Sequence, residues 1–174
     1  MERLDIKDKP DVIYTSNNHI IEILGDNIIS SWYDKYNKLH RKEEPAYTVC
    51  NRNTGQYTIQ HWYKHGNLHR NNNLPAKIED GNGEFWYKNG ILHRTDGPAA
   101  IFYVDDDDGR FRRLTLMFYQ NGIIHCDDGP AYLQTITESW YKNGLLHRID
   151  GPAIHTDRDG TITESWYVDG ILIK

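Results

Sequence analysis

Histidine recurs in this chain at one place in a repeated phrase: His40, His69, His93, His125 and His147. An arginine follows four of them directly, at Arg41, Arg70, Arg94 and Arg148. An imidazole titrating near neutrality can serve as a general base or a metal ligand. A row of guanidinium groups can grip phosphate or another anion. An active site, however, brings different groups together once, whereas this row offers the same group five times. Adjacent copies also lie too far apart in sequence to make a local ligand box. The residues favour a structural histidine, packed on a cross-strand Trp or Phe and holding its turn through a backbone hydrogen bond. The arginines favour local pairing, because Asp96 and Asp150 lie two positions after Arg94 and Arg148. An anion site at Arg94 and Arg148 requires both to face solvent, free of those aspartates. Cys126 takes the arginine position beside Asp127 and Asp128, which interrupts the row.

The run Asp105 to Asp108, closed by Gly109 and followed by Arg110, Phe111, Arg112 and Arg113, is the most unusual stretch. Its D-x-D-x-G spacing hints at calcium, as does Asp157-x-Asp159-Gly160. An EF-hand loop also needs a Glu at its twelfth position. Counting Asp157 as position 3 puts Trp166 there instead. A solvated turn at a hairpin rim is the expectation, with Asp106, Asp107, Arg110, Phe111, Arg112 and Arg113 as candidate partner contacts. There is no Walker loop, dinucleotide glycine pattern, G-x-S-x-G, H-E-x-x-H or C-x-x-C. Neither a metal nor a cofactor is expected.

The elements that carry these residues repeat. Residues 86–99 read W-Y-K-N-G-I-L-H-R-T-D-G-P-A, and residues 140–153 read W-Y-K-N-G-L-L-H-R-I-D-G-P-A. Residues 118–131 give F-Y-Q-N-G-I-I-H-C-D-D-G-P-A. Looser copies start at Trp32 and Trp62, and a half copy starts at Trp166. The aromatic heads Trp32, Trp62, Trp86, Phe118, Trp140 and Trp166 stand 30, 24, 32, 22 and 26 residues apart. The string T-I-T-E-S-W-Y occurs at 135–141 and again at 161–167, a mark of duplication.

Asn-Gly is the leading signal for a two-residue type I′ hairpin, because both residues tolerate positive φ. With Asn143-Gly144 at the tip, Lys142 faces Leu145, Tyr141 faces Leu146 and Trp140 faces His147. Alternation then puts Ile136, Glu138 and Trp140 on one face of a continuous strand, and Thr137 and Ser139 on the other. Asp-Gly-Pro ends the short strand, since proline offers no amide hydrogen to a ladder. A further strand starts at Ala153 and returns through a loop rich in Asp, Asn and Gly, as at Asn51 to Gly55, Asp80 to Gly83 and Asp157 to Gly160. The copy headed by Phe118 lacks such a loop. One hairpin cannot bury enough apolar surface to offset the entropy of ordering it, so neighbours must stack. The chain therefore divides into residues 1–31, a charged start followed by capping strands His19 to Leu24 and Ile28 to Trp32, and an array over 32–174.

Composition agrees. Apolar residues with glycine number 68 of 174, below the ~45–50% of ordinary globular chains, so the core is thin. Twenty basic against 25 acidic residues leave a net charge of −5, the wrong sign for coating nucleic acid. No apolar run approaches the ~18 residues of a membrane span, and the first residues lack the apolar stretch of a signal peptide. Two cysteines make a poor disulfide framework, which suits a cytoplasmic setting.

The stretch Y-x-N-G-x-x-H-R-x-D-G-P-A resembles the MORN repeat, whose pattern runs roughly W-x-x-G-x-x-H-G-x-G, and its bacterial MORN-variant relatives. The form with H-R and D-G-P-A also looks like repeat proteins of giant DNA viruses and phages. The resemblance covers residues 32–174. It implies an all-β fold, an elongated single-layer antiparallel sheet built from tandem β-hairpins, used as an interaction module. The family's lipid association does not follow, because Arg stands where the pattern has its second Gly and the chain is acidic. The expectation is a non-enzymatic scaffold, viral or phage-borne, that binds a host protein in the cytoplasm. The alternatives are a binder that sequesters an anionic small molecule or nucleotide, and a virion structural component. The apolar end Ile171-Leu172-Ile173-Lys174 suggests homodimerisation through the C-terminal edge.

Overall fold

Positive φ angles fall where the Asn-Gly pairs mark turns. Asn89, Asn121 and Asn143 sit at φ 52°, 52° and 50°, and Gly90, Gly122 and Gly144 follow at 82°, 79° and 85°. This is type I′ geometry, whose twist matches that of the flanking strands. His65-Gly66 and Asp169-Gly170 adopt it too, with φ of 50° and 49° at their first residues. The computed structural model describes residues 11–105 and 112–174. Among them the regular elements are all β-strands.

The chain begins with β1 (Asp11–Thr15), β2 (His19–Leu24) and β3 (Asn27–Trp32). Long hairpins and short ribbons then alternate. The first hairpin is β4 (Tyr47–Asn51) with β5 (Tyr57–His61), and the ribbon after it pairs β6 (Tyr63–Lys64) with β7 (Asn67–Leu68). Next come β8 (Lys77–Glu79) and β9 (Gly83–Phe85), then ribbon β10 (Tyr87–Lys88) and β11 (Ile91–Leu92). Hairpin β12 (Ala100–Asp105) and β13 (Arg112–Met117) precedes ribbon β14 (Tyr119–Gln120) and β15 (Ile123–Ile124). Hairpin β16 (Tyr132–Gln134) and β17 (Thr137–Ser139) precedes ribbon β18 (Tyr141–Lys142) and β19 (Leu145–Leu146). The series closes with β20 (Ile154–Arg158), β21 (Thr161–Ser165), and ribbon β22 (Tyr167–Val168) and β23 (Ile171–Leu172).

All the hairpin strands join one 13-stranded antiparallel sheet in chain order, from β1 at one edge to β21 at the other. This is the elongated all-β sheet of successive hairpins that the repeat predicts. The five ribbons form their own file. Each turn glycine donates its amide to the ribbon before it: Gly90 to Leu68 O (2.8 Å), Gly122 to Leu92 O (2.9 Å), Gly144 to Ile124 O (2.9 Å) and Gly170 to Leu146 O (2.9 Å).

Two expectations are refined. A strand continuous through Trp140 is not what forms: β17 ends at Ser139 and β18 begins at Tyr141. The Trp140 amide donates to Ala153 O of the following hairpin (2.8 Å), while its carbonyl accepts from His147 of its own ribbon (3.0 Å). The aromatic residue thus serves two pairing partners and marks the point where the chain leaves one file for the other. The N-terminal segment also holds a third strand, β1, paired to β2 through a bulge between Val12 and Tyr14.

The deepest part of the core is a row of small residues, with Trp62, Trp86 and Val49 buried beside it. Ala46, Ala76, Ala99, Ala131 and Ala153, the last residue of each phrase, are fully buried. Each alanine carbonyl takes an aromatic-head amide, and the Ala76 amide in turn donates to Phe85 O (2.9 Å). Locked on both sides and fully buried, each position could take a longer side chain only by displacing its packed neighbours. Gly83 shows a similar constraint: at φ 154°, an added Cβ would meet Ile101 O at 2.5 Å.

Candidate functional site

The histidine row lies at the seams between repeats. Each amide closes its own ribbon onto the aromatic head, as in His69 to Trp62 O (2.9 Å) and His93 to Trp86 O (2.9 Å). Each ring then reaches forward. The Nδ1 atoms of His69, His93 and His125 accept the amides of Asn89 (3.1 Å), Asn121 (3.0 Å) and Asn143 (3.1 Å), the first turn residues of the next ribbons. His40 accepts likewise from His65 (3.3 Å). His147 meets the same turn differently: its Nδ1 lies 2.9 Å from the Asp169 carboxylate, to which it can donate, and 3.2 Å from the Asp169 amide. A nitrogen that accepts carries no proton, so the other must be the donor. Nε2 of His69 accordingly meets Asn71 Oδ1 at 2.9 Å, and Nε2 of His125 meets Asp127 Oδ1 at 3.1 Å. The turn each histidine holds is therefore that of its successor.

The arginines are spent within the repeat. The guanidinium groups of Arg41, Arg70, Arg94 and Arg148 lie over Trp32, Trp62, Trp86 and Trp140, at 4.4, 3.6, 4.1 and 4.0 Å from the ring centroids. Arg70, Arg94 and Arg148 also donate from Nη1 to Pro75 O, Pro98 O and Pro152 O at 3.2 to 3.3 Å. Arg94 pairs with Asp96 (3.3 Å) and Arg148 with Asp150 (3.0 Å), and the Arg148 hydrogen bond lowers the carboxyl pKa of Asp150. The freedom from those aspartates that an anion site requires is absent at both. In these repeats arginine, rather than the histidine of the repeated phrase, lies over the indole; Trp32 is also stacked by His19 of β2, the ring centroids 3.7 Å apart. The indole nitrogens of Trp62 and Trp86 donate to Glu43 O (3.3 Å) and Asn73 O (3.0 Å).

Other titratable groups gather off the seams. His61 lies on the sheet with Nε2 3.2 Å from Glu79, which also takes Lys77 at 3.1 Å. Burial holds the His61 imidazole below its ordinary value, although Glu79 pulls the other way. Asp34 accepts His65 Nδ1 at 2.7 Å, and that hydrogen bond, with the Lys38 and Tyr36 amides, draws its carboxyl down to about 2. Burial pushes Tyr47, Tyr63, Tyr132 and Tyr141 up. Among the described residues, no three His, Cys, Asp or Glu side chains are grouped to hold a metal. Asp157 caps its rim turn by accepting the Gly160 amide (3.0 Å).

Asp106, Asp107, Arg110 and Phe111 lie outside the described residues, and Arg112 and Arg113 stand in β13 opposite Asp105 and Val104. Between consecutive repeats runs an open groove. One, of about 560 Å³, is lined by His40, Arg41, Trp62, Tyr63, Lys64 and Arg70 among others, and equivalents recur farther along the array.

Two features escaped the sequence reading. One is the alanine row, whose signal was a small residue after proline in every copy. The other lies on the outer face of the ribbons. Ile91, Ile123, Leu145 and Ile171, the residues after each turn glycine, remain 50, 49, 49 and 68% exposed on successive ribbons. Each of the first three side chains lies against the next turn: a Cβ at Gly122 would meet Ile91 at 3.1 Å, one at Gly144 Ile123 at 3.3 Å, and one at Gly170 Leu145 at 3.4 Å. The result is a continuous aliphatic ridge, absent from the first ribbon, where Asn67 occupies the position. Comparison with models of known protein families gives no match, and neither does comparison with curated proteins.

Proposed function

We propose that this chain is a non-enzymatic, MORN-like scaffold that binds another protein through the outer face of its ribbons. The observation that carries this reading is the exposed ridge of Ile91, Ile123, Leu145 and Ile171. Contiguous apolar surface in a protein with so thin a core favours contact with a partner over contact with water. The non-enzymatic part rests on the seams. The groups best suited to chemistry make the same backbone contact in each of five repeats, a pattern that serves stacking. A host factor is the partner this reading expects for a viral or phage chain. The anion-binding alternative has no observation in its favour, since Arg94 and Arg148 are both paired.

The test is affinity purification of the tagged protein from the cells in which it works, beside a variant carrying Ile91→Asp, Ile123→Asp and Leu145→Asp. One stoichiometric protein retained by the parent and lost by the triple variant, with thermal unfolding of both cooperative, is the expected result. Equal recovery with both would overturn the ridge as the working surface.

A further inference from the structure

We infer that the groove beside Trp62 takes an aspartate or glutamate side chain from an acidic segment of a partner protein, with the Arg70 guanidinium as its anchor. The site lies apart from the ridge and rests on none of the ridge reading.

The inference starts from what one repeat lacks. In the repeats headed by Trp86 and Trp140 the guanidinium is held three times over. Its face lies on the indole, Nη1 donates to the proline carbonyl, and Nε donates to the aspartate two residues on, Asp96 or Asp150. Arg41, over Trp32, is paired with Glu44. Arg70 keeps the first two contacts, with Trp62 at 3.6 Å and Pro75 O at 3.2 Å. The third is missing. Asn72 stands two residues after Arg70, where the other repeats have Asp96 and Asp150. Among the described residues no carboxylate pairs with Arg70 and its Nε has no acceptor. Burial lowers its pKa with no anion to offset the cost. A half-buried cation with an idle donor is the group that gains most from a carboxylate brought from outside.

The surroundings of Arg70 differ in the same sense. Its groove, of about 560 Å³, and the one beside Trp140, of about 540 Å³, are built alike, each between the turn of one repeat and the ribbon of the next. Lys64 and Arg70 stand where the later groove has Lys142 and Arg148. Arg41, Lys42 and Asn72 replace Cys126, Asp127 and Asp150. Of the Lys, Arg, Asp and Glu side chains, the later groove is lined by two cations and three carboxylates, the earlier one by four cations and Glu43. In a chain of net charge −5 this is a local reversal of sign, which draws an anionic group to one seam and turns it away from its equivalent. The wall is partly apolar. Tyr63 and Leu74 line the groove, and Leu74 is 44% exposed, so the carbon chain of an acidic segment finds packing that a free small ion cannot use.

The probe is the peptide acetyl-Gly-Asp-Leu-Glu-Asp-Leu-Gly-amide, titrated into the 174-residue protein and followed by NMR at the arginine Nε–Hε resonances. We expect a saturable shift at Arg70 while Arg94 and Arg148 stay unmoved. Binding should weaken about tenfold between about 0.05 and 0.3 M salt. The peptide with Asn and Gln in place of Asp and Glu should leave Arg70 unmoved. Asn72→Asp, which supplies the missing carboxylate from within, should weaken binding about tenfold without lowering the melting temperature. Arg70→Gln should abolish binding in a protein that still unfolds cooperatively, since the seam at Cys126 forms without this arginine. No shift at Arg70 would overturn the inference, as would equal shifts at all three arginines, which would mean unspecific attraction. Undiminished binding in either variant would remove Arg70 as the anchor. Inorganic phosphate that saturates Arg70 at a lower concentration than the peptide would overturn the carboxylate in favour of a phosphate group.

Discussion

The seams that follow the repeats headed by Phe118 and by Trp140 share a backbone and differ in side chains. Both heads donate to the buried alanine ahead, Phe118 to Ala131 O and Trp140 to Ala153 O, at 2.8 Å. Both accept their histidine amide at 3.0 Å, and the next residue donates to the following tyrosine carbonyl, Cys126 to Tyr141 at 3.3 Å and Arg148 to Tyr167 at 3.0 Å. The Trp140 seam adds a guanidinium over the indole, a hydrogen bond to Pro152 O and an ion pair with Asp150. At the Phe118 seam Cys126 supplies none of these. The repeat is therefore defined by its backbone junction and its alanine. The arginine clamp is reinforcement that one copy omits.

If that is correct, the alanines should matter most and equally. Ala131→Leu and Ala153→Leu should each cost about 3 kcal/mol, the upper range for overpacking, with matching urea midpoints. A large gap between them would show that the two seams are not equivalent cores. Next come the histidines. His125→Ala and His147→Ala should cost about 1–2 kcal/mol each, because the next turn loses its ring partner, the Asn143 amide in one case and the Asp169 carboxylate and amide in the other, and exchange at Asn143 or Asp169 should quicken in the matching variant. Loss confined to the repeat carrying the mutation would break the claim that each ring holds its successor.

Smaller effects sharpen the contrast itself. Arg148→Cys, which makes the second seam like the first, should cost about 1 kcal/mol, and the pair Phe118→Trp with Cys126→Arg should gain under about 1 kcal/mol. A gain of zero would mean that the groove near Asp127 and Asp128 cannot seat a guanidinium. The smallest expected change is with pH and lies away from both seams. His61 and His19 have lowered pKa values, chiefly through burial, so the unfolded chain binds protons that the folded one resists. Stability is then fully present above the ordinary imidazole range near 6.5 and declines as pH falls through it. The melting temperature at pH 5 should be lower than at pH 7, and His61→Gln should flatten the difference.

The type I′ turns and their registers were legible because they depend on two adjacent residues and the alternation beside them. Lys142 opposite Leu145 and Tyr141 opposite Leu146 follow from Asn143-Gly144 alone. The break at Trp140 was not, because apolar alternation runs through it undisturbed and the departure depends on a carbonyl 13 residues away, at Ala153. β1 escaped for a related reason: Asp11–Thr15 is short, bulged and carries none of the repeated phrase. At the seams the residue types were readable but their partners were not. Cross-strand logic placed His147 against Trp140. The guanidinium one residue on has the reach to fold back over the ring, and the imidazole is free to turn toward Asp169. Only spatial stacking of repeats decides between those arrangements.

The Nδ1 contacts of the histidine row all run the same way, from a ring in one unit to the turn of the next. Such a chain of units is like a line of links with a hook at one end and an eye at the other. A new unit slipped between two old ones meets a hook behind and presents a hook ahead, so no bond is left unmade at either junction. Gene copying that adds or removes a whole unit therefore keeps these junctions made. The doubled T-I-T-E-S-W-Y is the trace such an event would leave. The number of units, and with it the length of the ridge, is a quantity that inheritance can adjust in steps of one.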